Sequence, residues 1–326
     1  MNRLLPTLIK CAFIYLFAVM LQGCISVKLF DDQLQAVRIE QGSGFGRAKI
    51  AVVDVSGVLT DSGPGSGFMS NDSSVVSLSK KLDYIKNDSR VKAVILRVNS
   101  PGGGVTASDI MHNMLKNFSN EEKIPIYVSM QSVAASGGYY ISMAGKEVYA
   151  TPTTITGSIG VIATFPEVDG LMGKVGLTMN AITSGDNKDA GAFYKKMTPE
   201  DRALYQSIVD QMHGKFLDVI QANRTNLNAQ EIVTLADGRI YTASQAYEVG
   251  LIDGILYLED VVELVKKNEN LPDPEVYLIK QGSATTNDTV YATAPNAQTQ
   301  INMLNINVDR WQALGENEVF SYLWIP

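Results

Sequence analysis

Three groups of residues have the types and spacing of a nucleophilic site. Ser136 stands in Ser132-Val133-Ala134-Ala135-Ser136-Gly137-Gly138-Tyr139-Tyr140, after the apolar run Ile124 to Met130 and before the apolar run Tyr139 to Ala144. A serine on a sharp strand-to-helix turn exposes its Oγ, and the backbone N–H groups that follow line a pocket for a developing oxyanion. The second group is Asn99-Ser100-Pro101-Gly102-Gly103-Gly104, a glycine turn closing the apolar run Val91 to Val98. Such a turn brings N–H groups to the carboxyl edge of a sheet, where open α/β folds bind ligands. Gly103 paired with Gly137 then offers two donors to one oxyanion. The third is Lys188, in Thr183-Ser184-Gly185-Asp186-Asn187-Lys188-Asp189. Taken singly, each is equally a packing turn or a solvated charge; together they describe serine nucleophile, oxyanion pocket and base.

The base decides between mechanisms. His112 falls inside a segment patterned as a helix, and His213 falls mid-helix far downstream, so neither is expected in a loop beside the sheet edge. A lysine serves only when neutral, and its ordinary pKa of about 10.4 must be lowered by burial in an apolar cleft. Both cysteines, Cys11 and Cys24, lie within the first 24 residues, so the body holds no thiol nucleophile, disulfide or thiolate metal site. With two histidines, no metal is expected and no cofactor is implied. The net charge of −7 gives no basic surface for nucleic acid.

The positioning elements follow from hydrophobic period. Lys49 to Val55, Val91 to Val98 and Ile124 to Met130 are apolar runs of strand length. Val75, Val76, Leu78, Leu82 and Ile85 recur at helical spacing after the cap candidates Asp72 and Ser73, and Thr106 to Phe118 reads as the next helix. Strand and helix alternating at this spacing predict right-handed βαβ crossovers and a parallel sheet. Further on, Glu147 to Ala150, Ser158 to Ala163, Leu177 to Ile182 and Pro272 to Gln281 are expected strands. Pro166 to Val175, Thr198 to Ala222, Asn228 to Ala236, Thr242 to Val249 and Leu258 to Asn268 are expected helices.

The flanks are different. Residues 1–24 carry Arg3 and Lys10 ahead of an eleven-residue apolar run, Cys11 to Leu21, shorter than the about 20 residues that span a bilayer. The run ends in Leu21-Gln22-Gly23-Cys24, which resembles a bacterial lipoprotein signal with Cys24 as the lipidated residue, an uncleaved anchor being the alternative. Either way the body is expected on the extracytoplasmic face, held at a membrane. Residues 25–47 read as a tether, 48–281 as the globular domain, 282–300 as low-complexity linker and 301–326 as an apolar tail. The strongly apolar end, Val319 to Pro326, is expected to dock in a peptide groove of its own body or of a neighbour.

Val94 to Gly104, then Ala134 to Tyr140, then Thr156-Gly157-Ser158-Ile159-Gly160-Val161, Ser184-Gly185, Lys188-Asp189, Met197-Thr198 and Ala236 to Tyr241 resemble the signal peptide peptidase A family, in the family's order. The resemblance covers roughly residues 49 to 268. It implies a Clp protease/crotonase fold of repeated ββα and βαβ units with flanking helices. It also implies Ser136 as nucleophile, Lys188 as general base of the single-domain type, and Gly103 and Gly137 N–H groups as oxyanion hole. A homo-oligomeric ring, a lysine donated by a neighbouring subunit, and released signal peptides or other short apolar or unfolded chains as substrates follow from the same likeness. Ala192 departs from the serine often found four residues after the lysine, and Tyr194 from a nearby proline. Two other readings of the fold are acyl-CoA chemistry of the crotonase type, which an exported location disfavours, and a non-catalytic membrane scaffold.

Overall fold

A computed structural model describes residues 34–40, 48–62, 72–281 and 320–324 of the chain. In chain order the first half contains β1 (Leu34–Glu40), β2 (Lys49–Ser56), α1 (Ser74–Lys86), β3 (Val91–Ser100) and β4 (Gly102–Gly104). It continues through α2 (Val105–Glu122), β5 (Ile126–Ala135), α3 (Gly137–Ser142), β6 (Glu147–Ala150), β7 (Ile155–Gly157) and β8 (Ile162–Ala163). The second half holds α4 (Asp169–Lys174), α5 (Pro199–Asn223), α6 (Ala229–Leu235), β9 (Ile240–Thr242) and α7 (Ala243–Glu248). It ends with β10 (Gly254–Ile255), α8 (Leu258–Asn268), β11 (Glu275–Gln281) and β12 (Phe320–Leu323).

The apolar runs become the centre of one sheet, in the order β1-β11-β2-β3-β5-β6-β10, with β7 and β9 added beside β5. Every neighbouring pair from β11 to β10 is parallel. Parallel strands are covered on both faces, which is why they read as nearly continuous apolar runs. Side chains alternate across the sheet. Ala51, Val53, Val94 and Leu96 face a large core with α1, α2, α3 and α5, whereas Ile50, Val52, Ala93 and Ile95 face a smaller one under α8. The helices begin where their capping residues stand. Ser73 accepts from the Val76 N–H at 3.2 Å. Thr198 and Asp201 cap α5 reciprocally, with Pro199 in its first turn.

Three expectations are corrected. Part of the tether, residues 34–40, forms an edge strand antiparallel to β11; residues 25–33 and 41–47 lie outside the described residues. Leu177 to Ile182 is not a strand: it runs irregularly with Leu177, Met179 and Ile182 exposed, because no other strand of the described chain lies beside it to pair with. The region Ser158 to Ala163 divides, so that pairing falls on β7 just before it and β8 at its end. Residues 1–33, with Cys24, and 282–319 lie outside the described residues. Among the described residues no helix is long and apolar enough to cross a membrane.

Candidate active site

The serine turn is built from β5. This strand pairs with β3 through Val98 opposite Met130, then slips register so that Ser100 faces Ala134. Beyond the slip its last residues, Val133 to Ala135, pair with β7 instead. The Ser136 N–H donates to the Gly157 carbonyl at 2.7 Å, which closes the turn, and α3 starts immediately after it. Ser136 adopts φ 53° and ψ −117°, a left-handed conformation for a residue with a Cβ. Such a conformation costs on the order of 1–3 kcal/mol and persists only where the surroundings hold it.

Opposite the serine lies β4. Leu59 brackets it on one side: the Leu59 N–H donates to the Gly102 carbonyl, and the Gly104 N–H donates to the Leu59 carbonyl, both at 2.9 Å. Successive residues of an extended chain direct their polar groups to opposite sides, so the Gly103 N–H points away from Leu59. The nitrogen of Gly103 lies 3.2 Å from where a Cβ on Gly137 would stand. A Cβ on Gly102, whose φ is +102°, would stand 2.7 Å from the Gly137 nitrogen. The nitrogens of Gly103 and Gly137 therefore border one small space, as the glycine spacing suggested. The approach is backbone against backbone: a Cβ on Gly138 would fall 2.6 Å from the Ser100 carbonyl oxygen.

Two supports were not visible in the sequence. Ser100 Oγ donates to the Gly57 carbonyl at 2.6 Å and accepts from the Gly102 N–H at 3.1 Å, fixing the entry to the glycine turn. Ser108 Oγ donates to the Gly104 carbonyl at 2.8 Å from the first turn of α2. Both serines are fully buried. Only their positions, directly before and soon after the glycines, could have signalled them.

The structure does not bring Lys188 to the serine. Ser136 is buried, whereas Lys188 lies on an exposed turn, its N–H donating to the Gly185 carbonyl at 3.1 Å. No hydrogen bond joins it to Ser136 among the described residues. The neighbouring Asp189 carboxylate pairs with Lys195 at 2.7 Å, and that contact lowers its pKa. His112 packs edge-on against the Tyr140 ring, with centroids 5.4 Å apart. Burial first, and the Lys116 charge second, lower the His112 pKa to about 4 against the opposing influence of Asp109, so the imidazole is neutral at pH 7.

A mixed sheet of parallel strands, a serine in a strained strand-to-helix turn and two convergent backbone N–H groups define a serine peptidase of the Clp type. Sequence comparison agrees. The Clp protease model matches residues 67–156 and the peptidase family S49 model residues 119–272. A protein named signal peptide peptidase SppA in Enterococcus faecium is 36% identical over 257 residues, 78% of this chain and 73% of that one. The chloroplastic serine protease SPPA of Arabidopsis thaliana is 30% identical over 272 residues, 81% of this chain and 38% of its own. A ClpP1 variant from Listeria monocytogenes aligns with a TM-score of 0.43 and 17% identity, over 64% of this chain and 92% of that one. The chain belongs to peptidase family S49.

Two outcomes follow from the site. Gly102→Ala puts a methyl 1.9 Å from the carbonyl oxygen seated opposite β4 and 2.7 Å from the Gly137 nitrogen, at a φ unfavourable for alanine. Peptidase activity is expected to fall about 10²–10³-fold, the effect of losing one oxyanion donor, in a protein that remains folded by circular dichroism. Separately, the depressed His112 pKa means that the unfolded chain binds the extra proton between pH 6.5 and about 4. Stability should therefore drop as pH falls through that window. Denaturant titration of His112→Leu should show a shallower drop; an unchanged pH profile would contradict the assignment.

Proposed function

We propose that this protein is a membrane-attached serine endopeptidase in which Ser136 and Lys188 form the catalytic dyad. The observation that carries the reading is the shared space bordered by the Gly103 and Gly137 nitrogens at the serine turn. Neutral Lys188 takes the Ser136 proton as Oγ attacks a peptide carbonyl carbon. The resulting oxyanion is held by the two N–H groups, each worth about 2.7–4 kcal/mol in the transition state. Collapse returns the proton to the departing amine and leaves an acyl-serine, which water hydrolyses with the lysine again as base.

The lysine is supplied by a neighbouring copy in a homo-oligomeric ring. Support comes from the arm that carries it: Leu171, Val175, Leu177, Met179 and Ile182 are large apolar side chains left exposed in one subunit. Soluble proteins rarely leave so continuous an apolar surface without a partner. Packed on a second copy, the same arm would also remove Lys188 from water, which is what lowers a lysine pKa into the working range. Attachment through lipidated Cys24, on the extracytoplasmic face, places the site where released signal peptides and other short apolar or unfolded chains accumulate.

Ser136→Ala and Lys188→Ala should each abolish hydrolysis of an apolar peptide by a folded protein. Co-expressed, the two variants should regain about a quarter of the wild-type rate, because head-to-tail packing assembles some sites from one intact serine and one intact lysine. Full activity in either single variant would sink the dyad, and no recovery in the mixture would sink donation between copies.

A further inference from the structure

The segment β12 lies in the position of a bound peptide strand. It runs antiparallel between β4 and β8, with Ser321, Tyr322 and Leu323 opposite Gly104, Gly103 and Gly102. On its other side Phe320 and Ser321 face Ala163 and Ile162. The Trp324 N–H donates to the Pro101 carbonyl at 2.8 Å. In an antiparallel ladder, bonded pairs recur every second residue, so Tyr322 and Gly103 form the next bonded pair. The Gly103 N–H, already turned away from Leu59, is therefore directed at the Tyr322 carbonyl. A Cβ on Gly102 would stand 1.9 Å from that oxygen and 2.7 Å from the Gly137 nitrogen. The Tyr322 carbonyl thus sits beside both backbone nitrogens of the oxyanion space.

Its side chain is anchored as firmly as its main chain. Tyr322 is fully buried, stacked on Tyr140 with centroids 5.1 Å apart and tilted against Phe216 at 4.8 Å. Its hydroxyl donates to the Met212 carbonyl at 2.7 Å. Phe320, on the same side by strand alternation, lies 6.2 Å from the Tyr205 ring. An aromatic pair of this kind adds about 0.5–1.5 kcal/mol beyond the area it buries.

We propose that Phe320–Trp324 is a built-in occupant of the peptide groove, locked by the Tyr322 ring. An incoming chain displaces it by presenting an extended apolar strand with an aromatic side chain at the Tyr322 position. The proposal rests on reading this groove as the site where Ser136 acts. Main-chain pairing with β4 and β8 accepts any extended sequence, and the pocket of Tyr140, Phe216 and the Met212 carbonyl adds the choice of side chain. Because the occupant is tethered, it competes at an effective concentration that a free peptide must exceed.

The test uses binding, so that it does not depend on hydrolysis. A fluorescent peptide of residues 318–326 is titrated by anisotropy into the full chain carrying Ser136→Ala, with and without Tyr322→Ala. Binding should be at least about tenfold tighter to the protein whose own segment lacks the ring. On that protein, the same peptide with alanine in place of its tyrosine should bind at least about tenfold more weakly. Equal affinity for the two proteins overturns the built-in occupant, and equal affinity of the two peptides overturns the aromatic pocket. Either result is distinct from an inert Ser136, which hydrolysis assays detect.

Discussion

Everything at the site depends on one steric constraint: two stretches of backbone approach so closely that no Cβ fits between them. The glycine turn of β4 meets the turn after Ser136 at Gly102, Gly103, Gly137 and Gly138, and a methyl at any of the four would stand within 2.7 Å of a neighbouring atom. That closeness sets two backbone nitrogens side by side beyond the carboxyl ends of parallel strands. It also explains the surrounding polar bonds. Ser100, Ser108 and Leu59 satisfy the remaining groups of β4, so that the Gly103 N–H is left facing the groove. The cost in backbone freedom and in the left-handed Ser136 is carried by a sheet buried on both faces.

Much of this was legible in the residues. Parallel strands buried on both sides leave continuous apolar runs, and β2, β3 and the first half of β5 appear in the sequence nearly where they end in the structure. The helices announced themselves by period and by caps such as Ser73 and Thr198. The serine turn and glycine turn were legible because only small residues permit such an approach, and those residues are local in sequence.

What the sequence hid is nonlocal. Leu34–Glu40 looked like tether because an edge strand has a mixed pattern and its partner, β11, comes near the other end of the domain. Leu177 to Ile182 alternates like a strand, yet alternation reports only that a face is apolar, not what covers it. Here that face is exposed within one copy, and with it Lys188. The apolar end beyond Val319 signalled docking, but its register against Gly102–Gly104 is fixed by main-chain bonds that carry no sequence mark.

The account's central claim is that Ser136 is the reactive hydroxyl beside the paired glycine N–H groups. Labelling the full-length protein with a fluorophosphonate, followed by peptide mapping, tests it most directly. The account predicts a single adduct on Ser136, faster to form when Tyr322→Ala loosens the segment above it. An unmodified Ser136 in folded protein, both wild type and Tyr322→Ala, or an adduct on another serine, would contradict it.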